Sequence, residues 1–132
     1  MKRIVLDTNV LISANLTSDG NAAKIVSKVS YSELLLFYSF EIMQEYKRVL
    51  AYEKLHIPPT AQTKAIDGIS KLGMLIEPVS STILMTDETD RVFYDTAKES
   101  GAILVTGNTK HFPAESFIMT TADFLDSLTN ES

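Results

Sequence analysis

The sequence predicts an α/β domain whose mostly parallel sheet of four to five strands is covered by helices on both faces. Two observations predict it. Short apolar runs without helical period (Ile4–Leu6, Leu34–Tyr38, Ile103–Val105) read as fully buried strands. Between them lie segments whose apolar residues recur at helical spacing, the alternation that builds a parallel sheet. In such sheets a ligand sits beyond the carboxyl ends of the strands, so the polar residues that follow the strands become the candidates for function.

Lys2–Asp7 is the first strand, and a helix over Thr8–Leu16 follows it directly. Ser18-Asp19-Gly20-Asn21 marks a turn. The next helix, Ala22–Val29, sets Ile25, Val26 and Val29 on one face and Lys24 and Lys28 on the other. Glu33–Tyr38 is the second strand, and Ser39 caps a long helix over Phe40–Leu55. His56-Ile57-Pro58-Pro59 interrupts the chain, with Pro59 suited to the first turn of a helix over Thr60–Leu72. Leu75–Val79 is a third strand, closed by Glu77-Pro78. A helix over Glu88–Ser100 stops at Gly101, where a left-handed cap costs least. Ala102–Thr106 is the fourth strand and Phe117–Met119 the fifth. Thr120 to Asp123 resembles a capping box for a last helix, Ala122–Leu128, after which Thr129–Ser132 frays.

At 132 residues the chain fits one domain, 1–132. It has no cysteine, which excludes disulfides, zinc ribbons, iron–sulfur sites and thiol catalysis. With two histidines, His56 and His111, any metal must be held mainly by oxygen. No apolar run reaches the ~18 residues of a membrane span. Asp7 ends the apolar stretch of MKRIVLD too early for a signal peptide, so a cytoplasmic location and no membrane partner are expected. The net charge of −5 argues against broad, nonspecific nucleic-acid binding but allows a local basic strip.

Carboxylates on core-facing positions need something positive to hold them there. Asp7 ends the first apolar run; the competing role for it is an N-cap. Glu45 shares a helical face with Ile42 and Val49, in a stripe widened by Tyr46 and Leu50, whereas Glu41 fits the first turn for dipole reasons alone. Asp90 shares a face with Phe93, Tyr94 and Ala97. Asp87 reads as a cap or a supporting residue, and Asp95, near Arg91 and Glu99, as surface. Thr106-Gly107-Asn108 follows the fourth strand, where a hydroxyl and an amide can hold a carboxylate or a water in place. Oxygen ligands converging in this way suit Mg²⁺ or Mn²⁺. Lys47, Arg48, Arg91 and Lys110 lie near these positions in sequence and could meet phosphates, while His111 reads as a surface residue.

The segments IVLDTNVLISA, EIMQEYKRVL, DETDRVFYDTAKESGAILVTGNTKHF and FIMTTADFL, in this order, resemble the PIN-domain family, and most closely its bacterial toxin components of toxin–antitoxin pairs. The resemblance runs from Ile4 to about Leu125. It implies a three-layer α/β/α sandwich and a Mg²⁺- or Mn²⁺-dependent endoribonuclease for single-stranded RNA, in a homodimer silenced by an antitoxin protein. It places the metal ligands on Asp7, Glu45 and Asp90 and the strand-end threonine on Thr106; Asn9, Arg91 and Lys110, near them in sequence, are the expected substrate contacts. Asn108 stands where the family often has Asp, which removes one negative charge and argues for one tight ion and a weak or substrate-assisted second. A phosphatase of the haloacid-dehalogenase type also places Asp after its first strand, but it needs a second Asp where this chain has Asn9. A PIN-like module that binds RNA or protein without cleaving is the other alternative, favoured by Asn108 and the acidic charge.

Overall fold

A computed structural model describes residues 1–130. Five strands form one sheet: β1 (Lys2–Leu6), β2 (Leu34–Tyr38), β3 (Met74–Leu75), β4 (Ile103–Val105) and β5 (Ile118–Met119). Their order is β3-β2-β1-β4-β5, and every pair is parallel. Six helices flank the sheet and complete the α/β sandwich: α1 (Thr8–Leu16), α2 (Asn21–Ser30), α3 (Phe40–Leu50), α4 (Pro59–Leu72), α5 (Arg91–Ser100) and α6 (Thr121–Thr129). No described helix is long and apolar enough to cross a membrane.

The apolar runs account for the centre of the sheet. Ile4 pairs with Leu36 on one side and Ile103 on the other, and Leu6 pairs with Val105. All of these but half-buried Ile103 are buried, and α5 covers them with Phe93, Tyr94 and Ala97, which are fully buried. The chain turns to opposite sides after β1 and β4, so their carboxyl ends bound the crevice where the strand order reverses. Asp7 and Thr106 are the first residues beyond those two ends. Helix boundaries follow local chemistry. Ser39 Oγ accepts from Ile42 N–H at 3.1 Å, and Gly101 takes a left-handed φ of 67° at the end of α5.

Four expectations need correction. The helix from Phe40 ends at Leu50 instead of Leu55: Tyr52 turns extended and a 3₁₀ turn covers Glu53–Leu55, with no Gly or Pro to announce the break. The third strand is Met74–Leu75, with Leu75–Val79 largely outside the sheet. There the Glu77 carboxylate turns away to accept from Phe40 N–H at 2.9 Å, and Pro78 has no N–H to offer a ladder. Glu88–Asp90 forms a 3₁₀ turn ahead of α5, capped by Asp87, which accepts from Thr89 N–H. Asp95 is buried where surface was expected, because the segment 76–87 crosses α5 and Ser81 N–H donates to its Oδ2 at 2.9 Å. At the chain end, α6 runs through Thr129; of the stretch expected to fray, residues 131 and 132 lie outside the described residues.

One polar contact locks the sheet to α3. Fully buried Tyr46 donates its hydroxyl to the Leu6 carbonyl at 2.5 Å, the last carbonyl before Asp7. Tyr46→Phe leaves that carbonyl without its donor and should cost about 1–3 kcal/mol. A urea titration will show a lower midpoint at an unchanged slope; an unchanged midpoint would mean that the bond contributes nothing.

Candidate active site

Asp7 is buried at the carboxyl end of the central strand, and each of its carboxylate oxygens accepts a hydrogen bond. Oδ1 accepts from Thr8 N–H at 2.8 Å, and Oδ2 accepts from the Thr106 hydroxyl at 2.7 Å. Its own N–H donates to Val105 O at 2.9 Å, continuing the pairing of β1 with β4. Burial raises the Asp7 pKa, while the Thr106 and Thr8 hydrogen bonds and the charge of His111 pull it back. The N-cap role weighed for Asp7 is thus real, since its side chain caps α1, and it coexists with a place at the switch point.

Glu45 projects from α3 among the buried Ile42 and Tyr46 and accepts a short hydrogen bond from the Thr8 hydroxyl. Arg48 approaches its other oxygen at 3.8 Å from the solvent side. Asp90, half-buried at the start of α5, has its pKa pushed up to about 6. Burial is the main cause, followed by the negative charges of Asp7 and Asp87, with His111 opposing and Glu45 adding. The three carboxylates therefore occupy one electrostatic neighbourhood, with His111 exposed at its edge.

Thr106 has no exposed surface; besides holding Asp7, its hydroxyl accepts from Asn108 N–H at 3.1 Å. Asn108 is exposed and uses Oδ1 to accept from Lys110 N–H at 3.2 Å, capping a 3₁₀ turn over Thr109–His111. Asn9 Oδ1 accepts from Gly107 N–H at 3.1 Å. A Cβ on Gly107 would stand 3.3 Å from the Asn9 amide, so glycine permits this approach. Lys47 and Lys110 are exposed. Arg91 is committed elsewhere: its guanidinium clasps both Glu88 oxygens at 2.7 and 2.8 Å and donates to Ser81 O at 2.9 Å. Thr8 is the residue that sequence reasoning passed over. Its signal was a hydroxyl directly after the strand-end acid.

The donor set suits a hard divalent cation. It is all oxygen, it lies at the sheet switch point, and its mutual repulsion adds to the burial that raises the Asp90 pKa. Among the described residues, however, no three Asp, Glu or His side chains stand close enough to grip an ion in this conformation. Asp7 and Glu45 take their donors from Thr8 and Thr106 instead.

The parallel sheet with helices on both faces and Asp7 at the end of its central strand define an α/β sandwich with its candidate site at the switch point. Residues 3–110 match the PIN domain family, and the chain belongs to it. PIN domains are, as a class, metal-dependent nucleases. Among curated proteins, the chain is similar to the uncharacterized protein MJ1680 of Methanocaldococcus jannaschii, with 28% identity over 109 residues covering 80% of this chain and 70% of the relative.

The sign of the Asp90 effect is testable. Its folded pKa of about 6 lies above the ordinary 3.8, so the folded protein holds the proton more tightly than the unfolded chain does. Metal-free stability is therefore highest below pH 4 in this contribution and falls as pH rises toward 6. Asp90→Asn removes the penalty. In EDTA at pH 7.5 it should raise Tm by roughly 3 °C, the scale of about 1 kcal/mol once screening at this half-exposed position is allowed for. A lower Tm would show that the charged carboxylate is stabilising.

Proposed function

We propose that this chain is a Mg²⁺- or Mn²⁺-dependent endoribonuclease acting on single-stranded RNA. The observation that carries the reading is the buried, hydroxyl-braced Asp7 in one field with Glu45 and Asp90 at the sheet switch point. Asp7, Glu45 and Asp90 would hold the cation. Bound there, such an ion supplies Lewis-acid polarisation of the scissile phosphate and a hydroxide-like nucleophile at neutral pH.

The chain's own residues do the positioning. Thr106 fixes one Asp7 oxygen and, through its other contact, the Asn108 backbone. Thr8 fixes the second Asp7 oxygen through its N–H and Glu45 through its hydroxyl, so a single residue sets the relation between two ligands. Lys110, exposed just past Asn108, and Arg48, beside Glu45, would be the cations that meet a backbone phosphate. Arg91 has no such part, since Glu88 and Ser81 occupy it. With Asn108 neutral, one tightly bound ion is expected. Family resemblance further supports a toxin role in a toxin–antitoxin pair, with a homodimer and a protein antitoxin as partners.

A second reading is a PIN domain that binds RNA without cutting it. Asn108 favours it, being uncharged and using its carbonyl oxygen as a local cap. Cleavage of mixed single-stranded RNA in Mn²⁺, Mg²⁺ and EDTA separates the two. Metal-dependent cleavage that drops at least roughly a hundredfold in both Asp7→Asn and Asp90→Asn is expected, the scale of losing a site that stabilises transition-state charge. RNA binding with no cleavage in any metal would favour the binding module, and restored cutting in Asn108→Asp would then identify the missing charge.

A further inference from the structure

A cavity of about 520 Å³ opens between α1, the first turn of α2 and the loop after β4, with Asn9 and Asn108 in its wall. Its polar lining includes Asn9, Ser13, Thr17, Asn21, Asn108 and Thr121, contributed by α1, α2, α6 and the loop after β4. Among the described residues, no charged side chain lines it. Its volume falls within the range of small-ligand pockets, roughly 300–1,000 Å³.

The hydrogen-bonding sense of this lining is partly fixed. Asn9 gives its carbonyl oxygen to Gly107 N–H, and Asn108 gives its own to Lys110 N–H. An amide whose oxygen is engaged presents its NH₂ group, so both asparagines offer donors. Both also adjoin the catalytic candidates: Asn9 is two residues from Asp7, and Asn108 N–H is bonded to Thr106. A group seated here lies next to an RNA strand crossing the carboxylates. Neutral donors suit a base edge read by hydrogen bonds, the way single-stranded RNA is commonly discriminated.

We propose that this cavity reads a nucleobase flanking the scissile phosphate and prefers guanine and uracil, whose ring carbonyl takes the place of the amino group of adenine and cytosine. The inference rests on the ribonuclease reading above. An amino group facing the Asn9 and Asn108 NH₂ groups would set donor against donor and leave both unpaired, which costs more than a missing contact. A ring oxygen pairs with them. Ser13, Thr17, Asn21 and Thr121 have rotatable hydroxyl or amide groups that can serve the rest of the edge.

The test compares short single-stranded oligomers of inosine against adenosine and of uridine against cytidine. Inosine shares the 6-oxo group of guanine without its 2-amino group. Cleavage by the full chain in Mn²⁺ should favour each oxo member by about tenfold in kcat/KM, the scale of one well-made base contact. Fluorescence anisotropy of the same oligomers with Asp7→Asn protein in EDTA reads the preference without cleavage. Asn9→Asp keeps the oxygen that serves Gly107 but replaces the donor with an acceptor, so it should narrow or reverse the preference. Ser13→Phe, at an exposed position of α1, should fill the cavity and abolish the preference. Equal cleavage of all four oligomers overturns the base-reading cavity and leaves the nuclease standing. A binding preference without cleavage keeps the cavity and removes the nuclease. A preference untouched by either variant places the reader elsewhere, and neither binding nor cleavage removes both.

Discussion

The arrangement depends on one buried carboxylate. Asp7 ends the central strand, where water cannot solvate its charge, and the fold compensates with a backbone N–H on one oxygen and a hydroxyl on the other. Each donor arrives by a different structural route. Thr8 N–H comes with the first turn of α1, which Asp7 caps. Thr106 comes only if β4 pairs with β1 in the observed register, in which Leu6 meets Val105. A one-residue slip would turn the Thr106 hydroxyl to the opposite face of the sheet. Register and site are therefore the same constraint.

Other contacts build outward from that point. Tyr46 reaches the Leu6 carbonyl from α3, and its immediate neighbour Glu45 meets the Thr8 hydroxyl. Buried Tyr46 feels the negative charge of both Asp7 and Glu45, which adds to the burial that keeps its phenol protonated. On the opposite side, Asn9 ties the first turn of α1 to the loop after β4 by accepting from Gly107 N–H, while Asn108 caps that loop by accepting from Lys110 N–H. The site thus has an acidic half, where burial and then like charges raise the Asp90 pKa, and a neutral, donor-rich half. In the proposed function a cation would sit in the first half and an RNA base in the second.

Much of this was legible in the sequence because burial leaves a pattern. Unbroken apolar runs marked β1, β2 and β4, and helical spacing put Glu45 and Asp90 on core-facing stripes with Tyr46, Phe93 and Tyr94. What escaped was set by contacts between distant segments. Nothing local reveals that Ser81 will lie over Asp95, or that Glu88 and Ser81 will occupy Arg91, because a solvated and a buried charge look alike in a helix pattern. The end of α3 at Leu50 carries no Gly or Pro signal, and the short third strand follows from Glu77 serving Phe40. Thr8 was hidden by its neighbour: its backbone and hydroxyl serve two acids at once, which spacing alone cannot show.

The most direct test is Mn²⁺ binding followed by electron paramagnetic resonance, with native protein, Asp7→Asn and Thr106→Val side by side. One Mn²⁺ per chain should lose its free-ion signal on the native protein, bind weakly or not at all to Asp7→Asn, and bind less tightly to Thr106→Val, where Asp7 has lost its hydroxyl brace. Native protein that leaves the Mn²⁺ signal unchanged, or Asp7→Asn that binds as well as native, would contradict the assignment of these carboxylates as a cation site.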